Sequence, residues 1–137
     1  MSMPELSIQL KNTPGQLVQI TTVLAEAGVN IRGITASSAG KTGWVHMIVD
    51  EPKLAEESLE ECGINVDTGE ALAILMSDEP GMLDRALRVI ADAKINLDYV
   101  YTCVERAHGK VMAVLGVQSP GKVEKLLQSN DVHVIKS

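Results

Sequence analysis

Two short loops carry the residue types best suited to hold a small ligand. They read Asn12-Thr13-Pro14-Gly15-Gln16-Leu17 and Asp78-Glu79-Pro80-Gly81-Met82-Leu83. Each stands at the start of a stretch with helical spacing. A helix N-terminus offers free backbone N–H groups and partial positive charge, which suits a carboxylate. Gly15 and Gly81 lack a Cβ, so a ligand can approach the backbone there. Asn12 or Asp78 can accept a hydrogen bond from an ammonium group. Together these features fit a free amino acid. The far end of each helix also repeats, as Asn30-Ile31 and Asn96-Leu97. Ordinary capping explains the same loops: Asn or Asp before Pro-Gly is common chemistry at a helix start. Asn30 and Asn96 can simply turn the chain. On loop chemistry alone, capping is the stronger explanation.

Other chemistry finds less support. His46, His108 and His133 are scattered, with no helical pairing and no nearby cysteine, so no metal site is expected. Gly40-Lys41-Thr42 resembles the end of a phosphate loop, but the first glycine of that motif falls at Thr35 and a strand follows where a helix is required. Cys62 and Cys103 make neither a disulfide framework nor a zinc motif, and read as inert core residues. No nucleophile elbow or related signature is present. The expectation is a protein without catalytic residues, metal or cofactor.

Composition narrows the class further. The 137 residues are 45% hydrophobic and 22% charged, an ordinary globular balance. Aromatic side chains are confined to Trp44, Tyr99 and Tyr101, which disfavours recognition by stacking bases. The net charge is −6, so a nucleic-acid backbone is repelled. The acid run Glu56, Glu57, Glu60 and Glu61 reads as a solvated helix face. No signal peptide and no membrane-length apolar run is found. The chain reads as cytoplasmic, with no nucleic-acid or membrane partner.

These loops must be held by elements, and the elements come in duplicate. Pro14-Gly15 recurs as Pro80-Gly81, an offset of 66. At that offset Leu6 meets Leu72, Ile8 meets Ile74, Leu17 meets Leu83 and Asn30 meets Asn96, and no gap is needed to go on through Gly43/Gly109, Val45/Val111, Val49/Leu115 and Val66/Val132. Register over a whole unit signals internal duplication. Domains are therefore expected at 1–70 and 71–137.

Each copy reads strand, helix, strand, strand, helix, strand. Leu6, Ile8 and Leu10 alternate as a strand does. Asn12 to Pro14 supplies helix-start chemistry, Leu17, Ile20, Leu24 and Ala27 make one face, and Gly28 ends the helix. Val29–Ser37 and Trp44–Val49 are strands, Pro52–Cys62 a helix, and Ile64–Thr68 a fourth strand. The second copy gives strand 72–77, helix 80–93, strands 95–104 and 110–117, helix 120–129 and strand 131–136. This order is the split βαβ, ferredoxin-like unit. The class is α+β, with helices on one sheet face.

The β-α-β-β-α-β order, the Asn-x-Pro-Gly-x-Leu loop and the segment Ala25-Glu26-Ala27-Gly28-Val29-Asn30-Ile31 together resemble the ACT domain, twice over. The second copy carries Asp78 for Asn and Lys94 for Gly. The resemblance implies a regulatory module that binds small ligands, commonly amino acids, and serves metabolic enzymes such as D-3-phosphoglycerate dehydrogenase and aspartokinase. It implies two repeats side by side in a continuous eight-stranded antiparallel sheet. It places ligand between the loop after the first strand of one domain and the region after the first helix of its neighbour. Here those are Asn12, Thr13, Pro14, Gly15, Gln16, Leu17, Asn30 and Ile31, with Asp78, Glu79, Pro80, Gly81, Met82, Leu83, Asn96 and Leu97. A histidine that touches ligand in the dehydrogenase branch falls at Leu10 or Met76.

The expected protein is a stand-alone tandem regulatory module that binds a free amino acid and serves a metabolic enzyme or regulator. The competing class is an assembly module with no small ligand. The apolar second strands Val29–Ser37 and Ile95–Val104 are expected to dock the repeats, with a homodimer covering the helix-free face. Asp78 is expected to make the two loops unequal, unless it merely caps its helix.

Overall fold

The computed structural model describes residues 3–104 and 109–135. The order is β1 (Met3–Lys11), α1 (Gln16–Glu26), β2 (Ile31–Ala39), β3 (Thr42–Val49), α2 (Pro52–Glu61), β4 (Asp67–Ser77), α3 (Met82–Asp92), β5 (Tyr99–Cys103), β6 (Lys110–Gly116), α4 (Pro120–Ser129) and β7 (His133–Val134). It is an α+β fold with antiparallel strand pairs. The chain divides into two compact units, Pro4–Gly69 and Met1–Met3 with Glu70–Ser137.

In the first unit β3 is central, with β1 on one side and β2 on the other. Period-two alternation puts Leu6 and Ile8 of β1 on the same face as Val45 and Met47 of β3. That face is closed by Ile20 and Leu24 of α1 and Leu59 of α2. Four-residue spacing aligns Ile20 with Leu24. All seven side chains are at most 2% exposed. Each contributes about 1.5–3 kcal/mol by burial. The second unit repeats the arrangement: β6 lies between β4 and β5, and β7 pairs with β4. Leu72, Ile74 and Leu115 pack under Ala86 and Ile90 of α3 and Leu127 of α4.

The duplication is not gapless. Leu10 and Met76 lie 66 apart, but their strand partners Gly43 and Val111 lie 68 apart. The second helices begin at Pro52 and Pro120, again 68 apart. Two extra residues therefore fall between Val104 and Gly109. Val45 corresponds to Ala113, not Val111, and Val66 to Val134, not Val132. Likewise Gly43 corresponds to Val111 and Val49 to Val117. A gapless alignment looks plausible because a shift of two residues keeps every side chain of a strand on the same face.

Other expectations change at element ends. The helices begin at Gln16 and Met82, not at Pro14 and Pro80. The two strands expected at 64–68 and 72–77 are one strand, β4, so the described residues hold seven strands rather than eight. Within its own unit β2 is hydrogen-bonded to β3, and β5 to β6. Ser37, Ser38 and Thr102 are exposed and polar, which suits a strand at the edge of its own unit's sheet.

One cross-strand pair has been inverted between the copies. Gly33 stands opposite Ile48, whereas Tyr99 stands opposite Gly116. Small faces large in both, with the strands exchanged. A Cβ added at Gly116 would run into the Tyr99 ring, too close without movement. Gly116→Ala is therefore expected to lower the unfolding free energy by about 1–3 kcal/mol in urea denaturation. A loss below about 0.5 kcal/mol would mean that the ring yields freely.

Candidate functional site

The loops before α1 and α3 are built bond for bond alike. Thr13 N donates to Lys11 O and Glu79 N to Ser77 O, both at 2.9 Å. Gln16 N donates to Thr13 O and Met82 N to Glu79 O, both at 3.4 Å. Gly15 and Gly81 then open the helices in the left-handed region, at φ 86° and 87°. No side chain caps either helix. The first four N–H groups of a helix lack partners of their own. Gln19 N makes the first bond of the helix, to Gly15 O, and Gln16 N is satisfied by Thr13 O, which leaves Leu17 and Val18 in the first turn. No atom lies within 4 Å of a Cβ built on Gly15 or Gly81. The starts are open as well as uncapped.

Capping by Asn12 or Asp78 is thereby corrected. Asn12 Nδ2 instead donates to Gly40 O at 3.0 Å, and Asn12 N to Lys41 O at 2.9 Å. The side chain pins the loop to the β2–β3 turn. Asp78 N makes the matching backbone bond, to Gly109 O at 2.9 Å. A carboxylate has no N–H to donate, so the side-chain pin is lost and the exposed Asp78 carboxylate faces solvent.

The electrostatics of the two starts differ. The first turn of α1 holds no acid, whereas that of α3 holds Asp84. Asp84 Oδ2 accepts from Arg88 Nε at 2.7 Å. That hydrogen bond and charge raise the Arg88 pKa above its ordinary value. With Asp78 and Glu79 alongside, the start of α3 is acidic. A carboxylate is favoured at α1 and opposed at α3.

Beside each start lies a cleft between the end of the first strand, the first turn of the helix and the segment leaving the second helix. In the first unit it measures about 1010 Å³ and is lined by Lys11, Gln16, Gln19, Lys41, Cys62 and Asn65 among others. In the second it measures about 160 Å³ and is lined by Ser77, Met82, Arg85, Lys110, Asp131 and His133 among others. The two are equivalent: Gln16 and Gln19 correspond to Met82 and Arg85.

A family model for the ACT domain pair matches residues 1–137. The chain belongs to the ACT domain pair family. Its fold is similar to that of protein BT0572 from Bacteroides thetaiotaomicron, with 23% identity, a TM-score of 0.85, and coverage of 98% of this chain and 92% of that one. It is also similar to the regulatory subunit of aspartate kinase from Thermus thermophilus, with 13% identity, a TM-score of 0.65, and coverage of 93% and 91%. The corresponding subunit from Thermus flavus gives 12% identity, a TM-score of 0.59, and coverage of 94% and 92%. No match was found among the curated proteins.

Within this ACT domain pair, the expected site residues fall into two groups per unit. Asn12 to Leu17 and Asp78 to Leu83 gather at the helix starts. Asn30-Ile31 and Asn96-Leu97 lie past the other ends. An 11-residue helix is about 16 Å long, so the two groups of one unit do not meet. Asn30 N donates to Asp50 Oδ1 at 2.9 Å, and Asn96 Nδ2 to Asp98 Oδ1 at 3.4 Å. Both asparagines thus have turn-stabilising bonds. The cleft residues Gln19, Lys41, Arg85, Lys110 and Asp131 were missed, because strand ends and helix starts far apart in sequence build the cleft. Cys62 is exposed, not a core residue, whereas Cys103 is buried. His46 Nδ1 lies 2.9 Å from Ser7 Oγ, and His133 is exposed on β7. His108 lies outside the described residues. Among the described residues no group of three metal-ligating side chains is found, and no helix is long and apolar enough to cross a membrane.

Left-handed geometry falls on glycine at the helix starts but on Lys94, φ 59°, after α3, where the first copy has Gly28. An L-residue in that region costs roughly 1–2 kcal/mol. Gly81→Ala is expected to destabilise by about 1 kcal/mol, and Lys94→Gly to be neutral or stabilising by up to about 1 kcal/mol. Thermal unfolding of both variants, read for opposite signs, checks the assignment.

Proposed function

We propose that this ACT domain pair is a regulatory protein that binds a free amino acid and serves a metabolic enzyme or regulator. The observation that carries the proposal is the start of α1: opened by a left-handed glycine, uncapped, and free of acid in its first turn. An α-carboxylate there meets the N–H groups of Leu17 and Val18 and the positive end of the helix. Lys11 and Lys41, which line the adjoining cleft, add positive charge. Asn12, Thr13, Pro14, Gln16 and the backbone of Gly15 frame the ligand. In the second copy, Asp78 and Glu79 make the loop a better partner for an ammonium group than for a carboxylate. The family assignment supports the class of activity, since the ACT domain pair is a regulatory module. The proposal places the protein in the cytoplasm.

A second reading is an assembly module that holds no small ligand. Trp44 at 44% exposure favours it, because it offers apolar surface for a second copy.

Thermal unfolding against a panel of the common amino acids separates the two. A ligand at a hundred times its Kd adds about 2.7 kcal/mol to stability, so at least one member is expected to raise the midpoint. The ligand reading fails if none does. With that ligand, Asp78→Ser is expected to leave stability within about 0.5 kcal/mol, since Asp78 caps nothing. Calorimetric titration of the same variant is expected to show roughly tenfold weaker binding at the loop that uses Asp78, the loss of one charge-assisted bond.

A further inference from the structure

We draw no further inference here: the strongest candidate, the surface patch around the exposed Trp44 on the helix-free sheet face of the first unit, carries nothing because nothing in the structure shows what covers it.

Discussion

The left-handed turn at Gly15 and at Gly81 is the constraint on which the candidate site depends. A residue with a Cβ is strained at φ near 86°, so the chain uses glycine at both places. That turn lets the strand end, fold back through Thr13 O or Glu79 O, and enter the helix two residues after the proline. It also decides what the helix start lacks. The residue at the N-cap has no side chain, so no hydroxyl or carboxylate satisfies the first-turn N–H groups. The same geometry that joins strand to helix leaves an open, positively polarised end. At α1 that end stays positive; at α3 the acids Asp78, Glu79 and Asp84 reverse it.

The two copies share a scaffold and differ where chemistry is set. The cores match position for position once two residues are inserted between β5 and β6, with Leu6, Ile8 and Leu59 answered by Leu72, Ile74 and Leu127. The exchange of Gly33/Ile48 for Tyr99/Gly116 keeps the paired volume on the sheet while moving the bulk to the other strand. By contrast, Asn12 to Asp78 swaps a donor that pins the loop for a charge that cannot. Gln19 to Arg85 and Gly63 to Asp131 place charge on a cleft that was neutral at those positions. Duplicated loops that fold alike are thus free to select differently.

Much of the fold was legible because its signals are local and periodic. Leu6-Ser7-Ile8 announces a strand, Ile20 and Leu24 a helix face, and Gly28 and Gly63 the helix ends, both with positive φ. The helix starts were misplaced because Pro14 after Asn12 looks like capping. The deciding feature, the backbone of Gly15, has no side chain to read. The insertion was invisible because an even shift preserves strand alternation. The site was legible as two loops but not as a cleft. Arg85 on α3, Lys110 on β6 and Asp131 in the turn after α4 converge only in the folded unit.

The central claim is that the uncapped start of α1 holds the carboxylate of a free amino acid. Its most direct test is an amide-resolved NMR titration of the isotope-labelled chain with the amino acid that most raises the unfolding midpoint. The largest shifts are expected at the N–H groups of Leu17 and Val18, with smaller ones at Gln16 and Gly15. Saturable binding that leaves the Leu17 and Val18 amides unmoved would contradict the account.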